Sequence, residues 1–265
     1  MTFALLNKMH SRSIDFTLAF PQADTDVDIF MELPIGVDVP KGEIRKEYVL
    51  YLLKNLYGLK QASKKYFEYL CGYLRADPIG MEPSRVDPCI WYKEDLILII
   101  YVDDCLIYSK EKEATDELIS QLRENFTLTY EGDVDTYLGV QVELNEKDNT
   151  IELKQPFLIE RIIEFLKCNA HMTDKETPTL ANNILHKDPE GPARKQSWNY
   201  RSVIGMLNFL SASTRPDILF AAHQCARFCT CPRLIHEQAV KRIIRYLVKT
   251  KDKGIEVNID ESKGI

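Results

Sequence analysis

The stretch "LILIIYVDDCLIYS", residues 96–109, sets two adjacent carboxylates, Asp103 and Asp104, in the middle of an apolar run. Short apolar runs bounded by turn residues read as buried strands, and aspartate is a common turn residue. The pattern predicts a tight hairpin with strands at 96–102 and 105–108 and the aspartate pair at their shared turn. Solvent alone would stabilise such a pair at a hairpin tip. Held at the end of buried strands, the same pair can bind a hard cation such as Mg²⁺, which takes one or two carboxylates together with substrate phosphates. Asp15 is a candidate third ligand, because it interrupts the otherwise uncharged strand pattern "SIDFTLAF", residues 13–20. A further carboxylate on a neighbouring strand would complete a two-metal site for phosphoryl transfer.

Composition sets the frame around that hairpin. The chain has 265 residues, 45% of them apolar and 28% charged, ordinary values for a globular protein of one large or two small domains. A net charge of -6 gives no global sign of nucleic-acid binding but leaves room for a local basic face. The longest apolar run falls short of the roughly 20 residues a membrane span needs. The opening "MTFALLNKMHSRS" lacks the long apolar core and small-residue cleavage site of a signal peptide. Seven cysteines without a regular framework suggest reduced thiols in an intracellular chain.

Along the chain, the acidic, proline-bearing stretch "QADTDVDIFMELPIGVDVPKG" predicts a loop with one short strand at 29–31. A strand follows at 48–52, then a helix from about Lys60 whose apolar side includes Ala62, Tyr66, Tyr69, Leu70 and Tyr73. After the hairpin, Leu118, Ile119, Leu122 and Phe126 mark one face of another helix. "YLGVQVEL", a turn at "NEKDN" and "TIELKQ" form a second hairpin, and Pro156 opens a helix at "PFLIERIIEFLKCN". Weak periodicity and proline content make residues 177–196 the linker candidate. Helices are expected beyond it at Tyr200–Ser213 and 234–250, the latter with Ile235, Ala239, Ile243 and Leu247 at intervals of four. The class is α+β with a mainly helical C-terminal part.

These residues resemble a known family. "YVDD" resembles the catalytic signature of reverse transcriptases, and its surroundings are similar to the copia type of long-terminal-repeat retrotransposon. "IDFTLAFPQA", "DIFMELPIGV", "LYGLKQASKKYF", "YLGVQVEL", "YRSVIGMLNFL", "TRPDILFAA" and "HEQAVKRIIRYLVKT" match family blocks in order, from about Phe3 to Gly254. Departures occur at Ser63, Lys64 and Tyr66, where the family usually has proline, arginine and tryptophan, and at "PQA" after Phe20.

The resemblance implies a palm of antiparallel sheet with packed helices, an incomplete fingers region and the start of the thumb over 1–176, a linker over 177–196, and a helical thumb or connection region over 197–265. It also implies fingers upstream and a ribonuclease H domain downstream. Asp15, Asp103 and Asp104 correspond to the catalytic and metal-binding carboxylates, for two Mg²⁺ ions or Mn²⁺ in their place. The implied reaction is attack of a primer 3′-hydroxyl on the α-phosphate of a deoxynucleotide. Phe16 would offer its backbone carbonyl, Phe20 would act as a steric gate against a ribose 2′-hydroxyl, and Gln61 would contact the incoming nucleotide. Lys60, Lys64 and Lys65 would approach phosphates. Implied partners are primer–template, deoxynucleotides and other parts of a Gag-Pol polyprotein, with no membrane. The implied location is a cytoplasmic virus-like particle, the nucleus, or both.

Two further patterns stand apart. Between His223 and Gly254, eight Lys or Arg face two acids, a local charge of +6. Arg227, Lys241, Arg242 and Arg245 there are candidates for contact with a nucleic-acid backbone, where each phosphate contact releases counterions. "HQCARFCTCPRLIH" offers His223, Cys225, Cys229, Cys231 and His236 as zinc-ligand types, but without the usual paired C-x₂₋₄-C knuckle. Two functions remain open from the residues: a polymerase, or a transposon-derived fragment that keeps binding without catalysis.

Overall fold

The computed structural model describes residues 2–145, 150–166, 175–180 and 184–258. It is α+β with antiparallel sheets, and it divides into two compact units, Phe3–Val134 and residues 135 onward. The proline-bearing stretch 177–196 lies inside the second unit.

In the first unit, α1 (Thr2–Leu6) leads into β1 (His10–Phe16), and β2 (Phe30–Glu32) pairs with β3 (Val49–Tyr51) as a two-stranded ribbon. Then come α2 (Ala62–Arg75), β4 (Glu82–Pro83), β5 (Ile90–Lys93), β6 (Leu96–Tyr101), β7 (Asp104–Ser109), α3 (Lys112–Arg123) and β8 (Leu128–Gly132). The main sheet runs β4-β5-β6-β7-β1-β8, antiparallel throughout. Its apolar side chains, among them Ile14, Phe16, Trp91, Leu98, Ile100, Cys105 and Ile107, share one core with Tyr66, Leu70 and Leu74 of α2 and Leu118, Ile119 and Leu122 of α3. Each such side chain contributes about 1.5–3 kcal/mol by leaving water. On α2, Ala62, Tyr66 and Leu70 are buried as the periodicity predicts, whereas Tyr69 is 40% exposed.

Two boundaries differ from expectation. β1 spans His10–Phe16 and does not run on to Phe20. After Phe16 the amide of Thr17 donates to Thr127 O, Leu18 takes a φ of 51°, and a 3-10 turn forms at Phe20–Gln22. The Gln22 side chain fixes that turn: its Nε2 donates to Thr17 O and Thr127 O, and its Oε1 accepts from Thr127 N, each at 2.8 Å. The 96–109 hairpin also turns one residue earlier than expected. Tyr101 pairs with Asp104, so Val102 and Asp103 form the turn and Asp104 opens β7. The cause is the neighbouring strand: Asp104 pairs with Asp15, and Phe16 N donates to Asp103 O at 3.0 Å, which holds Asp104 inside the ladder.

The second unit has a sheet ordered β12-β11-β10-β9, from β9 (Thr136–Tyr137), β10 (Val140–Asn145), β11 (Thr150–Lys154) and β12 (Ile255–Asn258). Residues 146–149 of the expected turn and 167–169 of the expected helix after Pro156 lie outside the described residues. Helices α4 (Pro156–Phe165), α5 (Tyr200–Ser213), α6 (Leu219–Ala226) and α7 (Leu234–Lys249) enclose a core that includes Ile159, Ile162, Val203, Leu207, Ala222, Ile243 and Leu247. Asn199 caps α5 by accepting from Ser202 N at 3.0 Å.

Two of the sequence blocks become structural locks here. Arg215 is 1% exposed and donates to both carboxylate oxygens of Asp217 and to Thr250 O and Oγ1, while Tyr246 OH donates to Asp217 Oδ2 at 2.6 Å. Glu237 is fully buried and accepts from the backbone amides of Lys195 and Gln196 and from Lys241 Nζ. Leu185 joins the core, and Pro192 O accepts from Leu234 N, so the described parts of 177–196 are bonded along α7.

Candidate active site

Antiparallel cross-strand partners point their side chains to the same face. Asp15 on β1 is directly opposite Asp104 on β7, and Asp103 is the next residue, in the turn. All three are half-buried, and the Asp15–Asp104 pair lies on the opposite side of β1 from the core residues Ile14 and Phe16. Burial raises the Asp15 carboxyl above its ordinary range, and the charges of Asp103 and Glu131 push it the same way. Asp104 is raised by burial, then by Asp103, Asp15 and Glu131. Among the described residues no Lys or Arg forms an ion pair with any of the three aspartates.

The donor set therefore fits a hard divalent cation: oxygen ligands only, mutually repelling and uncompensated by protein charge. It is not a finished cage, since among the described residues no three His, Cys, Asp or Glu side chains are grouped to hold an ion alone. Mg²⁺ rarely requires such a cage, because waters and substrate phosphates complete its shell. The turn that carries Asp103 is strained. Val102 has a φ of 60°, a left-handed conformation that a β-branched residue rarely adopts.

Beside the carboxylates stands an aromatic group. The Phe16 ring is in the core, 5.9 Å from Tyr66 and 5.3 Å from Phe126. Phe20 is half-buried, its ring 4.5 Å from Tyr57 and 6.2 Å from Tyr66. The Tyr57 hydroxyl is pushed up by burial and then by the Asp103 and Asp15 charges, which ties this aromatic group electrostatically to the carboxylate face. Gln61 occupies the N-cap position of α2 without a side-chain capping bond. Lys60 is exposed, Lys64 lies 3.7 Å from Glu68, and Lys65 pairs with Asp26 and Glu68.

A reverse transcriptase (RNA-dependent DNA polymerase) family model matches residues 1–181. The chain belongs to that family. It is a reverse transcriptase domain of the copia-type retrotransposon class. It is 31% identical over 245 residues to the retrovirus-related Pol polyprotein from transposon TNT 1-94 of Nicotiana tabacum, covering 88% of this chain and 18% of that protein. It is 30% identical to the Pol polyprotein from transposon RE1 of Arabidopsis thaliana, over 92% of this chain and 16% of that one. The Ty1-DR1 Gag-Pol polyprotein of Saccharomyces cerevisiae matches at 22% over 96% of this chain and 15% of its own length. The chain thus spans less than a fifth of these relatives, whose names place the matching segment within polyproteins.

Away from the carboxylates, the basic window of this reverse transcriptase domain carries less free charge than its sequence count. Lys241 pairs with the buried Glu237, Lys249 with Glu176, and Lys251 with Glu160. Glu160 and Glu176 lie outside the window 223–254, so the +6 count omits them. Arg227 donates to Gln224, and Arg242 donates to Thr177 Oγ1 at 3.0 Å. Arg242 and Arg245 line a groove of about 560 Å³ with Lys175, Lys241, Ile235 and Ala239. The zinc alternative has no support: His236 is buried, its Nδ1 accepts from Arg233 N, its Nε2 bonds His186 O, and Cys225 belongs to the core. No described helix is long and apolar enough to cross a membrane.

Sequence reading missed Glu131 and Tyr57. Tyr57 had a signal in its place within "LYGLKQ", but Glu131 reaches the carboxylate face through a β-bulge that no periodicity announces.

Proposed function

We propose that this domain is an RNA-directed DNA polymerase, with the first unit's sheet as palm and the second unit's helices as thumb and connection. The observation that carries the reading is the Asp15–Asp104 cross-strand pair with Asp103 next to it in the turn, three carboxylates without an ion-pair partner among the described residues of a domain in this family. Asp15 and Asp103 are the principal holders of two Mg²⁺ ions, with Asp104 less directly engaged. Bound there, the ions supply charge neutralisation at the nucleophile and at the leaving pyrophosphate. The primer 3′-hydroxyl oxygen forms a bond to the α-phosphorus as the bond to pyrophosphate breaks, and the hydroxyl proton passes to solvent. Phe16 offers its backbone carbonyl beside the ligands. Phe20, backed by Tyr57, lies under the nucleotide sugar and excludes a 2′-hydroxyl. Gln61 orients the nucleotide, and Lys60 and Lys64 approach its phosphates. Arg227, Lys241, Arg242 and Arg245 track the primer–template backbone as point charges rather than readers of sequence. The proposed site of action is a cytoplasmic virus-like particle, the nucleus, or both.

Primer extension on poly(rA)·oligo(dT) with Mg²⁺ or Mn²⁺ tests this reading. Extension by the native chain and at least a hundredfold less by Asp103→Asn is the expected result, in line with loss of an electrostatic catalytic group. No extension by either protein, even with the segment that precedes the match in a relative fused upstream, would favour a binding fragment without catalysis.

A further inference from the structure

Glu131 stands on the carboxylate face by an unusual route. Pairing between β1 and β8 slips from Ile14 opposite Tyr130 to Ser13 opposite Gly132, which leaves Glu131 as the extra residue of a bulge. Bulges re-aim side chains and are common next to active sites. This one is fixed on both sides: Gly132 has a φ of 92°, and Asp133 pairs with Arg12 of β1. Ser13 Oγ then donates to Glu131 Oε2 at 3.3 Å. Ser13 and Asp15 are two residues apart on one strand and therefore share a face. Glu131 is exposed and has no ion-pair partner among the described residues. A neutral hydroxyl holds the carboxylate in place without cancelling its charge.

Resting on the reading of this face as a divalent-cation site, we propose that Glu131 is a positioning carboxylate of that site, acting through its charge and through water from outside the ligand set. It draws the cation toward Asp15 before a nucleotide arrives. A single exposed charge acting on a dication across solvent changes affinity by about fivefold.

The test is Mn²⁺ binding to the full chain, read from the electron paramagnetic resonance signal of the free ion. Glu131→Gln should weaken binding about fivefold, with the difference shrinking as NaCl screens the exposed charge. Glu131→Asp should restore most of the affinity, which a merely structural role would not predict. Asp15→Asn should weaken binding more than Glu131→Gln does. If Glu131→Gln binds as the native chain does while Asp15→Asn is weakened, the role of Glu131 is overturned and the site stands. If Asp15→Asn binds Mn²⁺ as tightly as the native chain, the cation site itself is overturned, whatever Glu131→Gln does.

Discussion

Asp15 and Asp104 stand directly opposite each other at a ladder position where antiparallel sheets favour attracting pairs, and like charges there cost stability. Both carboxyls are held above their ordinary value of 3.8, so the folded state binds more protons than the unfolded one. Their contribution to stability therefore falls as pH rises from 3.8 through the raised folded values. At neutral pH, Asp104→Asn should raise Tm by a few degrees in EDTA. Mg²⁺ should stabilise the native chain and do so much less for the variant, a difference that differential scanning calorimetry would read. Strain at the turn predicts a second gain. Val102→Gly relieves a β-branched residue at φ 60° and should stabilise by about 1 kcal/mol in urea denaturation, after allowing for the entropy of glycine. At this scale the three aspartates are legible in the sequence, because a charge inside an apolar strand stands out from its neighbours. Glu131 is not, because a one-residue slip between strands leaves no periodic trace.

Among elements, the apolar faces of α2, α3 and α5 follow from their spacing, and α5 matches its expected bounds at both ends. Strand ends and turns follow less well, because they are decided by partners far along the chain: β1 stops where Gln22 and Thr127 close a local network, and the hairpin turn is set by pairing with β1. The "HEQAV" block shows the same dependence. Its basic helix suggests a nucleic-acid surface, yet its first two residues cap α7 and clamp the 195–196 backbone. Burial alone would raise Glu237, but Lys241 and the amides of Gln196 and Lys195 outweigh it and hold the carboxyl below its usual range. Glu237→Ala would orphan those amides and leave Lys241 without its partner. It should cost about 3 kcal/mol in urea denaturation.

For the whole molecule, the two units should respond to acid with opposite sign. Burial pushes Asp217 up, but hydrogen bonds from Arg215 and Tyr246 together with the Arg215 charge hold it below 3.8, and Glu237 is likewise held below 4.5. These two groups give the second unit stability that is present above those values and lost as pH falls through their lower folded ones. The first unit gains from the same acidification as Asp15 and Asp104 lose their repulsion. The chain's two tryptophans separate the signals, since Trp91 lies in the first core and Trp198 in the second. Single-tryptophan variants, Trp91→Phe and Trp198→Phe, followed by fluorescence in urea between pH 5 and about pH 3, should show the Trp198 transition moving to lower urea and the Trp91 transition moving to higher urea. Equal shifts for both reporters would mean that the locks of the second unit do not govern its acid response. The charge count is legible only in part at this scale, because Glu160 and Glu176, remote in sequence, neutralise cations that the basic window counts as free.

On the proposed reading, carboxylates from two neighbouring strands hold divalent cations for nucleotidyl transfer. Crystals of the domain with primer–template and a non-hydrolysable deoxynucleotide, grown in Mn²⁺, test it most directly by anomalous scattering. Anomalous peaks bounded by Asp15 and Asp103 are expected, and they should be lost in Asp15→Asn. Ordered nucleotide with no anomalous density at these aspartates would contradict it.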